Sequence, residues 1–348
     1  MRIGVDAMGG DFAPAEPVKG AIAAKDFLGD DDRIVLIGDE PIIRKHLEDF
    51  PGWEDFIEIV HASETIGMAE PPVEALRQKP DSSIAKMATL AAKGQLDAIL
   101  SAGNTGACVA AAQMRLRRLP GVHRPGIAIV IPTFSGPVVM CDVGANVNCR
   151  AIHLYQYGLM AAEYSKCICN IAEPRVALLN IGTEDEKGNT LVKEARELFK
   201  QDPQMKFVGN VEGCDIFRDL CDVIITDGFV GNVALKLIEG LAEGLIKSIM
   251  LEQTNLKPEL VKQFKQAVLA TKEKYDFNEY GGAPLLGVNG ICIICHGASH
   301  AHAMTNAIGV ALDFSKTHIN ERITQRLASS YNASKNDTET KLKSKEVS

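Results

Sequence analysis

Six short segments rich in glycine and small polar residues each follow an apolar run in this sequence. They are residues 8–11, 101–106, 142–146, 180–189, 226–232 and 296–299. Glycine lets the backbone approach a ligand closely, and the free N–H groups at the start of a following helix attract anions. A tight turn explains any one of these segments, but six in one chain indicate a ligand that carries a phosphate or a carboxylate group.

Four side chains of these segments are candidate catalytic groups. Lys187 could hold phosphate as a point cation, and Asn104 could donate a hydrogen bond to phosphate or to an oxyanion while it caps a helix. His296 could donate a proton or bind phosphate, and Asp227 could orient a substrate. Each also has a structural interpretation: a solvated lysine, a helix cap, a structural histidine and a turn residue.

The other candidate residues for binding the ligand are short residues of the same segments. They are Gly9, Gly10, Asp11, Ser101, Gly103, Thr105, Gly106, Asn146, Gly182, Gly228, Gly231, Asn232 and Ser299. The sequence contains neither the G-x-G-x-x-G pattern of dinucleotide sites nor the G-x-x-x-x-G-K-[ST] pattern of P-loops. From its residues alone, the chain is therefore interpreted as an anion-binding enzyme.

Nine short runs of mainly apolar residues predict the strands that position these segments. The runs are 3–5, 34–37, 56–60, 96–100, 127–131, 138–140, 176–181, 223–225 and 291–294. Longer helical patterns lie between many of them, at 14–28, 82–93, 104–118, 150–168, 188–200, 228–252 and 298–328. This alternation predicts an α/β fold with a doubly wound, largely parallel sheet. The six segments would then share the carboxyl edge of that sheet, where such folds bind ligands.

Residues 1–330 are predicted to form a single catalytic α/β unit, with room for two lobes around a cleft. The stretch 255–280 interrupts the strand–helix alternation: its apolar residues fall on one helical face, and lysines surround that face. Such a helix either packs on its own domain or rests on a membrane or a partner. Residues 331–348 are polar and are predicted to be disordered.

The composition is that of an ordinary globular protein, with 46% hydrophobic and 24% charged residues. The net charge of -8 argues against a protein that binds nucleic acid by neutralising phosphates. Most of the nine cysteines lie in apolar runs, which predicts reduced thiols in a reducing compartment. The first residues have the pattern of a strand rather than of a secretory signal, and no run is long enough for a transmembrane helix.

Several motifs, taken in order, carry a resemblance to a known family. They are Asp6-Ala-Met-Gly-Gly-Asp11, Ser101-Ala-Gly-Asn-Thr-Gly-Ala107, Asp142-Val-Gly-Ala-Asn146, Asn180-Ile-Gly-Thr-Glu184, Lys187-Gly-Asn189, Thr226-Asp-Gly-Phe-Val-Gly-Asn232, Gly281-Gly-Ala-Pro-Leu-Leu-Gly287 and His296-Gly-Ala-Ser299. Together they resemble the phosphate acyltransferase family (PlsX type) of bacterial phospholipid synthesis. The resemblance covers residues 1 to about 325, and the motifs are specific as a set rather than singly.

The resemblance implies a fold similar to those of phosphotransacetylases and of isocitrate and isopropylmalate dehydrogenases. It implies an enzyme that makes acyl phosphate from inorganic phosphate and a thioester on acyl carrier protein, for use by a membrane glycerol-3-phosphate acyltransferase. No metal or organic cofactor is expected. A cytoplasmic homodimer with peripheral membrane association, through 255–280, is implied as well. Asn148 stands where the family usually has aspartate, so an acid–base role is not carried over to it.

A cluster of basic residues stands out in this acidic chain. Its members are Arg115, Arg117, Arg118, His123 and Arg124. Acyl carrier protein is acidic, and complementary charges steer two proteins together, so this cluster is a candidate docking site as well as a plain basic loop. Two other functions stay open at this point: a hydroxyacid dehydrogenase that uses a metal and NAD, and a scaffold that binds carrier protein without catalysis.

Overall fold

A single sheet of eleven strands forms the centre of the structure, a computed structural model that describes residues 1–252, 258–275 and 277–330. The strands are β1 (Arg2–Asp6), β2 (Arg33–Gly38), β3 (Ile57–His61), β4 (Ala98–Ser101), β5 (Gly126–Thr133), β6 (Gly136–Cys141), β7 (Val176–Leu179), β8 (Phe207–Val211), β9 (Val223–Ile225), β10 (Ala283–Leu286) and β11 (Ile291–Ile294). Their spatial order is β3-β2-β1-β4-β11-β10-β5-β6-β9-β7-β8. The predicted α/β fold with a largely parallel sheet is confirmed.

The sheet reverses its direction in the middle. Strands β3, β2, β1, β4 and β11 are parallel to one another, and so are β6, β9, β7 and β8. Between the two sets, β10 pairs antiparallel with β11 and β5, and β5 pairs antiparallel with β6. The two parallel sets therefore point in opposite directions. The prediction that all six glycine-rich segments share one edge of the sheet is wrong, since three follow strands of each set.

Helices cover both faces of the sheet. They are α1 (Ala15–Ala23), α2 (Glu40–Leu47), α3 (Pro72–Gln78), α4 (Ser83–Ala92), α5 (Thr105–Arg115), α6 (Ala151–Ile168), α7 (Thr190–Lys200), α8 (Gly228–Leu251), α9 (Pro258–Lys274), α10 (Ala301–Lys316) and α11 (319–330). Strand β2 shows why: Ile34 and Leu36 are buried in one hydrophobic cluster, and Val35 and Ile37 are buried in another. Consecutive apolar residues in a strand require a cover on both sides.

Each of the nine predicted strands corresponds to a strand of the sheet, and two short strands were missed. Strand β8 contains Gly209 at a φ of 99°, and β10 contains Pro284, so both lack a clear β-branched pattern. Helices α2 and α3 were also missed. The predicted helix 298–328 is divided after Lys316, because His318 adopts a left-handed conformation with a φ of 52°.

The stretch 255–280 contains the predicted helix, α9, which packs on α8. On α9, Val268 is buried, whereas Leu260 and Leu269 are each about half exposed, at 48% and 49%. Residues 253–257, 276 and 331–348, including the predicted disordered tail, lie outside the described residues. Among the residues that are described, no helix has the length and apolar character needed to cross a membrane.

Candidate functional site

The first group of predicted residues gathers where β1, β4 and β11 end. Its members are Gly9, Gly10, Asp11, Ser101, Gly103, Asn104, Thr105, Gly106, His296 and Ser299. The buried carboxylate of Asp6 holds the first two segments together: it accepts hydrogen bonds from the Ser101 hydroxyl at 2.7 Å and from the Met8 amide at 3.1 Å. The Asp11 amide donates to the Gly297 carbonyl at 2.8 Å, which brings in the third segment.

The absence of a side chain at Gly9 allows close packing in this group. A β-carbon on Gly9 would lie 2.7 Å from the amide nitrogen of Gly103 and 2.4 Å from a carboxylate oxygen of Asp6. Burial raises the pKa of Asp6, against hydrogen bonds that favour its ionised form. The Met8 amide and the Ser101 hydroxyl thus donate to a carboxylate of the chain itself, which fixes these two segments relative to each other.

Asn104 caps α5, as its structural interpretation predicted. Its side-chain oxygen accepts a hydrogen bond from the Ala107 amide at 3.0 Å. Its Nδ2 donates to the carbonyl oxygens of Gly67, Met68 and Glu70 at 3.0–3.2 Å. The segment 67–70 is thereby attached to the start of α5. The bonded residues are 34 or more positions apart in the sequence, so no local pattern could indicate this contact.

The second group surrounds Asp142, at the end of β6 and at the opposite edge of the sheet. The buried Asp142 carboxylate accepts hydrogen bonds from four backbone amides, those of residues 127, 144, 145 and 146, at 2.8–3.2 Å. It also accepts one from Nδ2 of Asn146 at 3.1 Å. The Asn146 carbonyl accepts a hydrogen bond from the Gly228 amide at 2.8 Å, and this bond joins the loop 142–146 to the start of α8.

Helix α8 begins close against this loop. A β-carbon on Gly231 would lie only 2.0 Å from the carbonyl oxygen of Asp142, so no larger residue fits there. Asn232 is half-buried, and its side-chain oxygen lies 3.6 Å from the position of a β-carbon on Gly144. Asp227 caps α8 by accepting hydrogen bonds from the amides of Phe229 and Val230. Its turn interpretation is thus sufficient to explain its position.

Lys187 and Gly182 lie in the loop after β7, at the same edge as the Asp142 group. The Lys187 side chain is exposed, and within the described part of the chain it has no ion-pair partner. Its neighbour Asp185 is instead paired with Lys200 at 2.7 Å. A β-carbon on Gly182 would lie 2.9 Å from Cγ of Lys187, so glycine leaves room for this side chain. The lysine is available for an external anion.

A groove along α5 connects the two edges of the sheet. Its cavity of about 320 Å³ is lined by Val73, Gly106, Val109, Ala110, Gln113, Met114, Gly144 and Ala145. Helix α5 has 11 residues, which corresponds to about 16 Å between its ends at 1.5 Å per residue. Most lining residues are apolar or small, so the groove suits a long, weakly polar chain.

A basic pocket opens at the C-terminal end of α5. This cavity of about 440 Å³ is lined by Gln113, Arg118, His123, Arg124, Arg150 and His153. Gln113 lines the groove as well, so the two cavities are neighbours. Of the predicted docking cluster, Arg115 and Arg117 are exposed but do not line the pocket. Arg150 and His153 were missed because they lie about 30 residues further along the chain.

His153 forms the buried floor of this pocket, with only 4% of its surface exposed. Its Nδ1 accepts a hydrogen bond from the Arg150 amide at 3.2 Å. Burial, reinforced by the charges of Arg150, Arg124 and His123, lowers the pKa of His153 to about 4. The ring is therefore neutral at pH 7.

We expect this histidine to make the protein less stable in mild acid. An unfolded chain binds a proton on this histidine below about pH 6.5, whereas the folded chain does so only near pH 4, so stability falls as the pH falls between these values. The wild type should lose about 2 kcal/mol more than His153→Gln between pH 7 and pH 5. Urea denaturation at both pH values measures this. His46→Gln, on α2, serves as the control, and parallel pH dependences of wild type and His153→Gln would contradict the assignment.

Comparison with known proteins shows the family to which this chain is similar. The family model described as "Fatty acid synthesis protein" matches residues 1–322. A phosphate acyltransferase of Nitratidesulfovibrio vulgaris is 45% identical over 334 residues, 93% of this chain and 94% of that protein. One of Dictyoglomus turgidum is 45% identical over 338 residues, 94% and 98% of the two chains. A phosphotransacetylase structure from Streptococcus pyogenes is similar, with a TM-score of 0.57 and 18% identity over 94% of each chain, which shows the fold alone.

Proposed function

Because this chain belongs to the phosphate acyltransferase family, we propose that it makes acyl phosphate from inorganic phosphate and an acyl thioester carried on acyl carrier protein. The observation that carries the proposal is the 45% identity to phosphate acyltransferases over nearly the whole chain. The groove along α5 supports it, since its apolar lining suits an acyl thioester. The description of the matching family names fatty acid synthesis, which supports a place in lipid synthesis.

The reaction needs positioning more than a nucleophile from the protein. An oxygen of phosphate attacks the thioester carbonyl, the C–S bond breaks, and the thiolate leaves and takes up a proton. Positioning two reactants can lower a barrier by about 7–11 kcal/mol, whereas one donor to the oxyanion contributes about 3–4 kcal/mol. In this proposal Lys187 holds phosphate, Asn232 faces the reacting groups from α8, and Asn104 positions the wall of the groove. His296 is exposed after β11, at the opposite edge of the sheet from Lys187, so in this proposal the thiolate takes its proton from solvent.

The proposal is tested by the release of acyl phosphate, trapped with hydroxylamine, from palmitoyl carrier protein. We expect hydroxamate to form only when phosphate is present, together with one free carrier thiol for each hydroxamate. Thiol release without phosphate-dependent hydroxamate would mean a thioesterase and would contradict the proposal.

The two alternative functions have less support. A hydroxyacid dehydrogenase that uses a metal and NAD has a related fold, but both cited relatives at 45% identity are named phosphate acyltransferases. A carrier-protein scaffold would not require the groove along α5, which continues from the basic pocket to the N-terminal part of that helix.

Helix α8 carries a surface that we assign to a second copy of the chain. Apolar residues recur at every fourth position of α8 and are between 42% and 69% exposed: Phe229, Val233, Leu237, Leu241, Leu245 and Ile249. Consecutive members of this stripe are adjacent on the helix surface, and a contiguous exposed apolar surface of this kind is typical of a contact with a partner. A homodimer through α8 is consistent with the resemblance in the sequence. Acyl phosphate would pass to a membrane glycerol-3-phosphate acyltransferase, so the enzyme would act in the cytoplasm with 255–280 near the membrane.

Replacing Leu241 with glutamate should disrupt this homodimer. A charge buried between two apolar stripes costs several kcal/mol, enough to shift the equilibrium to the monomer. Sedimentation equilibrium of wild type and Leu241→Glu measures the change, and Leu220→Glu, an exposed leucine before β9, is the control. If Leu241→Glu keeps the wild-type mass but no longer binds phospholipid vesicles, the stripe contacts lipid and the homodimer assignment is wrong.

A further inference from the structure

The basic pocket concentrates positive charge that the fold itself does not use. Three of its six lining residues are arginines and none is acidic, in a chain whose net charge is -8. Within the described residues, Arg118, Arg124 and Arg150 form no ion pair with a carboxylate. Arg118 donates to the carbonyl of His123, and Arg150 contacts the His153 ring at 3.4 Å. Three arginines around one cavity are a site for an oxyanion such as a phosphoryl group.

The start of a helix at the wall also favours an anion. Helix α6 begins at the pocket, with Arg150 at its N-cap and His153 in its first turn, so the positive end of its dipole lies there. Nδ1 of His123 is buried, and among the described residues it has no hydrogen-bond partner. The His123 backbone is fixed, because its amide donates to the Gln156 side chain at 2.8 Å. The wall is therefore rigid before a ligand arrives.

The pocket is also attached to the groove. Nδ2 of Asn146 donates to the carbonyl of Pro125 at 2.6 Å and to Asp142 at 3.1 Å, so Arg124 is held by the same network that shapes the loop 142–146. Gly144 and Ala145 of that loop line the groove, and Gln113 lines both cavities. A ligand with a phosphoryl group in the pocket can therefore extend directly into the groove.

We propose that the basic pocket binds the phosphodiester of the phosphopantetheine arm of acyl carrier protein, and that the arm lies in the groove along α5. This inference rests on the proposed function for the choice of ligand. A phosphodiester next to a flexible chain of amides and methylenes matches a cationic pocket that opens into a mainly apolar groove with one amide, Gln113, at the junction. In the groove the arm would pass Gly144 and Ala145, which belong to the same edge of the sheet as Lys187 and Asn232.

The test compares the binding of 4′-phosphopantetheine and pantetheine, two probes that differ only in the phosphate, by calorimetry. The wild type should bind phosphopantetheine at least about tenfold more tightly than pantetheine, and Arg124→Gln should reduce this preference to about threefold or less. Arg124 makes no side-chain hydrogen bond within the described residues, so its replacement should leave the fold intact. Arg115→Gln, an exposed arginine of α5 outside the pocket, should keep the wild-type preference.

Three results would overturn the inference. The first is equal affinity of the wild type for both probes, and the second is an Arg115→Gln variant that loses as much preference as Arg124→Gln, which would mean a general field of charge. The third is displacement of phosphopantetheine by orthophosphate together with a raised phosphate KM in Arg124→Gln, which would make the pocket the orthophosphate site. Because binding requires no turnover, a protein with the expected preference but without acyl phosphate release would contradict the proposed function alone.

Discussion

Replacing Asp142 with alanine is expected to lower the free energy of unfolding by about 3–5 kcal/mol, because several buried hydrogen-bond donors would lose their acceptor. Asp142 is fully buried and accepts five hydrogen bonds, four of them from backbone amides. The methyl group of alanine cannot accept a hydrogen bond from these amides. Burial raises the pKa of Asp142, and the hydrogen bonds oppose this by favouring its carboxylate form. The loop 142–146 and the start of α8 depend on this one side chain.

Urea denaturation at pH 7 measures this effect, with the slope of the transition as a check that the unfolded state is unchanged. Asp142→Asn keeps one acceptor oxygen and should lose less stability than the alanine variant. Asp31→Ala, at an exposed position before β2, should change stability by less than about 0.5 kcal/mol. A loss below about 1 kcal/mol in Asp142→Ala would show that water satisfies the amides and that this loop does not depend on the carboxylate.

Replacing Lys187 with alanine should lower kcat/KM for phosphate about 100-fold, equivalent to about 2.7 kcal/mol of transition-state stabilisation. The ammonium group is exposed, and its acidic neighbour Asp185 is already paired with Lys200, so a phosphate dianion would meet an available cation. Steady-state kinetics with phosphate as the varied substrate measure the effect. Part of it should appear as a higher KM, since the charge acts on bound phosphate as well as on the transition state.

Lys193→Ala is the matched control, since Lys193 is an exposed lysine on the adjacent helix α7. Its phosphate KM should equal that of the wild type. Lys187→Arg should recover only part of the activity lost in Lys187→Ala. Arginine keeps the positive charge, but its planar guanidinium group replaces the compact ammonium group of lysine. An unchanged phosphate KM in Lys187→Ala would remove this lysine from the phosphate site.

The sequence predicted the fold class and nine of the eleven strands, because runs such as Ile34–Ile37 are apolar at consecutive positions. It did not predict the reversal of the sheet. Strand β10 pairs antiparallel on both sides, so β5 keeps the direction of β11, and the reversal comes from the antiparallel pairing of β5 with β6. The six glycine-rich segments were therefore assigned to one edge, whereas they form groups at two edges that the groove along α5 connects.

The candidate site was predicted in part, for a similar reason. Arg118 and Arg124 stand close together in the sequence, so their charge was visible as a cluster. Arg150 and His153 complete the pocket from the start of α6, and this arrangement depends on the pairing of β5 with β6. The contacts of Asn104 with residues 67–70 are likewise long-range. Local sequence indicates residue types and turns, but tertiary packing decides which of them meet.

The most direct measurement of the central claim is phosphorus NMR of a reaction that contains phosphate labelled with oxygen-18 at all four positions and palmitoyl carrier protein. If an oxygen of phosphate attacks the thioester, the acyl phosphate signal will retain four labelled oxygens on phosphorus, and one carrier thiol will be released for each acyl phosphate. Loss of the thioester with no new phosphorus signal, or an acyl phosphate that has lost one label, would contradict acyl transfer to phosphate by this chain.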